Sequence, residues 1–260
     1  QAHAGIGDAV LRVGVAGHTG DALADQAART AVAELARRGE LAIIAAVIER
    51  HGIGRLGVGG FLVRYVEAAT EFTRVAEAHG RRVGADGGAR GQWRDVAGRL
   101  EAALAAPDAA AESARGVAAD AERLLGWAYW YAGEADEAWP RFAAAAERLP
   151  PAAAAEAAWM TIVSLDQLIL SGRGEMREEV RRRVEAFLDR FPAHAGAPAL
   201  RARRIADRPD MVAESDLEAL MAVPRGHPQW RSSRETVAAV HARRFREGGS
   251  AAAEAGLESM

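Results

Sequence analysis

A short run of residues between positions 119 and 150 constrains the fold of this chain more than any other part of it. The run reads Leu125-Gly126-x-x-Tyr129, then Ala138-x-x-x-Phe142, and it ends at Pro150. Gly126 allows a second backbone to lie close to the first helix, and Phe142 fills the space between the two helices. Gly133-Glu134 breaks and restarts the helical pattern, and Pro150 stops it. The run therefore predicts two helices joined by a tight turn and packed closely together.

This spacing resembles the tetratricopeptide repeat, W-x₂-L-G-x₂-Y, A-x₃-F, P. Glu122 stands where the family has Trp, and the resemblance covers residues 119–150 only. It implies an α-solenoid of antiparallel helix pairs with right-handed superhelical stacking. It also implies a binding module, because stacked pairs expose a curved surface.

The Gly-Glu turn recurs on both sides of this run. Arg38-Gly39-Glu40 and Arg173-Gly174-Glu175 repeat Ala132-Gly133-Glu134, and each is followed by a helical pattern with a similar ending. These recurrences predict further helix pairs at 21–51 and 152–191. Alanine, the best helix former, is abundant throughout. We expect an all-α chain.

Glycine-rich stretches divide the predicted helices into units. We predict a degenerate repeat unit at 1–80, a Gly-rich linker at 81–92, a repeat unit resembling tetratricopeptide repeats at 93–247 and a frayed tail at 248–260. Individual helices are predicted at 61–79, 93–104, 152–170, 175–191 and 198–206, with a long Ala-rich helix leading into residue 119. Two capping boxes, Ser215-x-x-Glu218 and Ser232-x-x-Glu235, are expected to open the last two helices.

The composition excludes several kinds of chemistry. The chain has no Cys and no Lys, which removes a thiolate nucleophile, a Schiff base and a P-loop lysine. Its seven His show no metal-binding spacing. We predict no catalytic residues, no cofactor and no metal.

Charge and hydropathy limit the partners. A net charge of -3 argues against a nucleic-acid partner. No apolar run reaches the ~18 residues of a membrane helix, so we expect no membrane span. The compartment and the oligomeric state stay open.

The sequence Gly52-Ile53-Gly54-Arg55-Leu56-Gly57 spells a dinucleotide-binding fingerprint. That motif needs a strand before it, and here a helix is predicted before it. We therefore interpret these residues as a linker between helices.

Candidate binding residues follow from the resemblance. In this family the inner face of the first helix lines a concave groove for peptides or partner helices, and the matching positions here are Asp120, Arg123, Trp127, Trp130 and Tyr131. Trp, Tyr and Arg are also the residue types enriched at binding hot spots. The alternative is that these rings are ordinary core, as aromatic stripes more often are. A groove requires at least one partly exposed ring, whereas a core buries all three. Trp139 and Trp159 are assigned to packing.

The expected function is a non-enzymatic scaffold that binds a protein or peptide partner. The alternative is a helical regulatory or substrate-presenting domain of a longer enzyme or sensor protein, since the chain begins at Gln1 rather than Met. The Arg clusters at 181–183, 201–204 and 243–246 are interpreted as solvated helix faces with interspersed Glu, in preference to a site for an acidic partner or phosphate.

Overall fold

The computed structural model describes residues 60–81, 87–113 and 116–258, together with isolated positions between 30 and 46. These residues form helices and their connections, and no strand occurs among them. The expected all-α class is confirmed. The chain divides into two compact units, Gln1–Met176 and Arg177–Met260.

Six described helices belong to the first unit. They are α1 (Phe61–His79), α2 (Gly87–Leu104), α3 (Ala109–Ser113), α4 (Val117–Ala132), α5 (Ala135–Arg148) and α6 (Pro151–Leu170), followed by a 3-10 turn at Gly174–Met176. Apart from the short α3, each helix packs against the next one along the chain. The core between α1, α2 and α4 contains large side chains with almost no exposed surface, namely Phe61, Tyr65, Trp93, Leu100 and Leu125.

Helix α1 has the bounds that its apolar periodicity predicts. Its stripe of Phe61, Tyr65 and Phe72 is buried. Gly80 ends the helix with a positive φ of 69°, and its N–H donates to the carbonyl of Ala76 at 2.9 Å. The first N–H of the helix donates to Oδ1 of Asp108 at 2.8 Å, so a residue from a distant turn caps this helix.

Helices α4 and α5 form the closely packed pair that the sequence predicts. Gly133 adopts φ 80° at the end of α4, and the N–H of Glu134 donates to the carbonyl of Tyr129 at 2.9 Å. Gly126 and Phe142 lie at similar sequence distances before and after this turn, and they are in contact. Helix α5 therefore runs back along α4. A Cβ atom on Gly126 would lie 2.8 Å from Cδ1 of Phe142, so the ring rests directly on the glycine backbone.

Two predicted boundaries in the first unit differ from the structure. The expected long Ala-rich helix is broken into α3 and α4, and Gly116 begins α4 from a left-handed conformation with φ 78°. Helix α2 begins at Gly87, so the second half of the segment 81–92 is helical. The helix pair predicted at 21–51 and the glycine sequence at 52–57 lie outside the described residues, apart from isolated positions such as the buried Ile44.

The second unit contains four described helices. They are α7 (Arg177–Arg190), α8 (Ala197–Asp207), α9 (Glu214–Met221) and α10 (Trp230–Glu258), with a 3-10 turn at Pro209–Met211. Helices α8, α9 and α10 enclose a small core of Ile205, Leu217, Leu220, Val237 and Val240. Helix α10 continues through the positions where the sequence favours a frayed tail.

Both predicted capping boxes are wrong. Helix α9 begins at Glu214 with the extended residue Ala213 as its N-cap, so Ser215 lies inside the first turn. Helix α10 begins at Trp230, and the hydroxyl of Ser232 donates to the carbonyl of Gln229 instead of capping. An N-cap must stand outside the helix with extended backbone, and neither serine does.

The contact at Gly126 gives a direct test of the packing between α4 and α5. Replacing Gly126 with Leu is expected to lower the free energy of unfolding by about 1–3 kcal/mol or more, because the fully buried ring of Phe142 has no room to move away. Chemical denaturation monitored by circular dichroism measures this loss.

Gly98 provides the matched control, since it is an exposed glycine inside α2 with open space around the position of a Cβ atom. Gly98→Ala should stabilise the protein by about 0.5–1 kcal/mol. If Gly126→Leu unfolds at the same denaturant concentration as the wild type, the close contact between α4 and α5 is wrong.

Candidate functional site

The five predicted groove residues lie on one face of α4, as their spacing requires. Trp127 and Trp130 are partly exposed, whereas Tyr131 is only 6% exposed. The side chains of Asp120 and Arg123 are about one quarter exposed, at 22% and 25%. The structure therefore brings all five together but offers only some of them to a ligand.

Tyr131 belongs to the core of the first unit. Its ring lies 4.8 Å from that of Trp93 and stacks on Trp127 with centroids 5.4 Å apart and an interplanar angle of 21°. Burial raises the pKa of its hydroxyl. The assignment of Tyr131 to the groove surface is thus corrected. The buried ring of Tyr131 supports the ring of Trp127, and Trp127 reaches the surface.

Trp127 and Trp130 pack against a buried cluster formed by Ala138, Phe142 and Met160. Trp127 meets Phe142 edge to face, with ring centroids 5.3 Å apart and an interplanar angle of 82°. The two tryptophans therefore rest on the contact that joins α4 to α5.

Helix α6 contributes to the same cluster. Trp159 and Val163, four residues apart, also pack against this cluster and are also partly exposed. We call Trp127, Trp130, Trp159 and Val163 the aromatic face. Sequence reasoning assigned Trp159 to packing, which the structure shows, but did not connect it with the cluster on which the α4 tryptophans rest. The signal that could have found it is the spacing of Trp159 and Val163 on the helix that follows Pro150.

Asp120 and Arg123 form an internal pair at the edge of this face. The Nε of Arg123 donates to Oδ1 of Asp120 at 2.8 Å, and the hydroxyl of Tyr65 donates to Oδ2 of Asp120 at 2.5 Å. Burial and then the Asp120 carboxylate hold the pKa of Tyr65 well above its ordinary value. This group of residues ties α1 to α4, and its tyrosine stays protonated at neutral pH.

Glu122, which departs from the resemblance, faces a different neighbour. Its Oε2 lies 3.4 Å from Nη1 of Arg141, whose Nη2 lies 3.4 Å from Oε1 of Glu101. The hydroxyl of Tyr129 donates to the same Glu101 oxygen at 2.7 Å. A polar network thus connects α2, α4 and α5 at the position where the family has an aromatic ring.

The arginine cluster at 181–183 is extensively paired. Arg181 contacts Glu178, and both Arg182 and Arg183 donate to Glu179. The hydrogen bond from Arg182 lowers the pKa of Glu179. These contacts within one helix favour the interpretation as a solvated ionic face. In the part of the chain that the structure describes, no three His, Asp or Glu side chains come close enough to hold a metal ion.

Helix α6 is long and apolar enough to cross a membrane, with a mean hydropathy of 1.3 over an 18-residue window, half of which is buried. A core helix of this length passes the same test, and α6 packs against α5. The expected absence of a membrane span stays a prediction.

Comparisons of the chain with protein-family models, with curated proteins and with solved structures find no match. The functional proposals below rest on the residues of this chain.

The three tyrosines make stability sensitive to alkaline pH. Because the chain has neither Lys nor Cys, Tyr65, Tyr129 and Tyr131 are its titrating side chains near pH 10, and the pKa of each is raised in the folded state. The stability that they contribute is complete below about pH 10, and it is lost as the pH rises above that value toward the folded pKa. We expect denaturation midpoints to fall across this range.

Tyr65→Phe tests the assignment of this alkaline loss. The variant should be less stable than the wild type at pH 9 yet lose less stability on going to pH 11, because it has one fewer buried hydroxyl to ionise. An equally steep loss in both proteins would show that Tyr65 is not protected by its burial and by Asp120.

Trp130→Ala distinguishes surface from core. Because part of its ring is exposed, we expect a loss of about 1–2 kcal/mol in the free energy of unfolding. Trp93→Ala, which removes a fully buried ring, should cost about 3–5 kcal/mol. Thermal and chemical denaturation measure both losses. If Trp130→Ala loses as much free energy of unfolding as Trp93→Ala, Trp130 belongs to the core.

Proposed function

We propose that the protein is a non-enzymatic interaction scaffold that binds a peptide or partner helix on the aromatic face. The scaffold is built from antiparallel helix pairs that resemble tetratricopeptide repeats. The observation that carries the proposal is that three tryptophans from α4 and α6 rest on one buried cluster while part of each ring stays exposed.

The packing order of the first unit supports a stacked arrangement. Helix α2 packs on α4, α4 on α5, and α5 on α6, so each long helix lies between its neighbours in the sequence. Stacked helix pairs need this order, since each repeat contacts only the adjacent ones. The contact between Gly126 and Phe142 supplies the close packing within one pair. The right-handed solenoid is part of this proposal.

The chemistry of the aromatic face favours an apolar or amphipathic peptide. Tryptophan is the residue type most enriched at binding hot spots, and its ring supplies a large contact area at low entropic cost. Arg123 and Asp120 neutralise each other, so this pair adds no net charge to the face. An amphipathic helix with apolar residues three and four positions apart matches such a surface.

A displayed library of random peptides tests the proposal with the intact chain as bait. Selected peptides should be enriched in apolar and aromatic residues, and their binding can then be measured by calorimetry. Trp130→Ala should weaken them by roughly 30-fold, which corresponds to about 2 kcal/mol. The stability measurements described above show whether this variant is folded.

Leu170→Ala provides the matched control. Leu170 is 80% exposed at the end of α6 and takes no part in the aromatic face, so its replacement should leave peptide binding unchanged. The proposal fails if no peptide sequence is enriched, or if selected peptides bind Trp130→Ala as tightly as the wild type.

A further inference from the structure

A second candidate site lies in the second unit, between α8 and α10. There the two helices leave a cavity of about 360 Å³. Its walls include Ile205 and Ala206 of α8, Ala239 and Val240 of α10, and the guanidinium-bearing side chains of Arg243 and Arg246. The cavity is within the size range of small-molecule sites, at its lower end.

The two arginines are the polar groups that distinguish this cavity. Arg243 donates from Nη2 to the carbonyl of Pro209, which holds its side chain across the end of α8. Its Nε is buried and has no hydrogen-bond partner within the described residues, and the nearest carboxylate oxygen, Oε1 of Glu247, is 3.7 Å away. Because this Nε is buried, a ligand can reach Arg243 only through the part of its side chain that stays exposed, about 26%.

Arg246 is similarly short of an acidic partner. Its Nε donates to the carbonyl of Ala242 in its own helix at 3.3 Å, and no carboxylate pairs with it in the part of the chain that the structure describes. Arg244, which does not line the cavity, pairs with Glu214 at 3.1 Å. Of the two arginines that face the cavity, Arg243 thus has a long ion pair with Glu247, and Arg246 has no carboxylate partner among the described residues.

The geometry points to a binding site for a small amphiphilic carboxylate. The carboxylate lies at Arg243 and Arg246, which supply charge-assisted hydrogen bonds. The apolar tail lies along the exposed Ala206 and Ala239, where it covers surface that is otherwise in contact with water, and the buried Ile205 and Val240 line the same cavity. An inorganic anion would leave that wall uncovered, and a neutral apolar molecule would leave the charge of Arg246 without a carboxylate partner. This site belongs to the second unit and does not depend on the function proposed for the aromatic face.

Octanoate is the probe for this site. It is titrated into the full chain, and its binding is measured by calorimetry and by the NMR signal of its labelled carboxyl carbon. We expect saturable binding at one site. Octanol has the same tail without the charge, and acetate has the charge without the tail. Each should bind at least about fivefold more weakly, the effect expected from losing an exposed charge pair or most of the apolar contact.

Two variants locate the binding. Ala239 is exposed and lines the cavity, so Ala239→Phe fills it without entering the core and should abolish octanoate binding. Arg246→Gln removes an exposed charge and should weaken octanoate by about fivefold while leaving octanol unchanged. Arg244→Gln on the same helix is the control and should bind octanoate as the wild type does. Circular dichroism confirms that each variant is folded.

Three outcomes would overturn the proposal. Equal binding of octanol and octanoate would show that the arginines take no part. Unchanged octanoate binding by Ala239→Phe would place it elsewhere on the protein. If the wild type binds no octanoate but forms a dimer, and Ala239→Phe abolishes that dimer, a second copy of the chain occupies the cavity.

Discussion

The contact between the Gly126 backbone and the Phe142 ring is the constraint on which the first unit depends. A single added carbon at position 126 would stand at 2.8–3.0 Å from the ring, so only glycine permits this separation of α4 and α5. Phe142 in turn meets Trp127 edge to face and joins Ala138 and Met160 in the buried cluster. The exposure of the tryptophans is therefore a result of how closely two helices approach, because a wider separation would let Trp127 sink between them.

Glu122 shows how the same pair of helices accommodates a change of residue type. At the position where the tetratricopeptide pattern has Trp, this chain has Glu122 near Arg141, with Glu101 and Tyr129 completing the network. Partly exposed ion pairs contribute little to stability, commonly less than about 1 kcal/mol each. The adhesion between α2 and α4 must then come mainly from buried apolar side chains such as Leu100 and Leu125. The polar network fixes the alignment of the helices more than it strengthens their association.

The sequence predicted the features that a local pattern determines, and it did not predict those that a residue distant in the sequence determines. The bounds of α1 and the close packing at Gly126 follow from apolar spacing and from glycine, both of which are visible in a single segment. The choice between groove and core for Tyr131 stayed open in the sequence because the ring that covers it, Trp93, comes from another helix. The capping boxes failed for a related reason. The Ser-x-x-Glu pattern fits inside a first turn as well as before it, and the cap itself is the featureless Ala213.

The hydrogen bond from the first N–H of α1 to Asp108 has a consequence for how this unit folds. Asp108 lies 47 residues further along the chain, beyond the whole of α2. This cap of α1 therefore exists only when Asp108, in the turn after α2, is in its folded position. Repeat proteins whose units are stabilised by neighbours alone can begin to fold at any repeat and extend from there. Here the first described helix has its end tied to a later segment. The first turn of α1 is thus stabilised by a residue that its neighbouring helix carries past it, and displacing Asp108 leaves the first N–H of α1 without this acceptor.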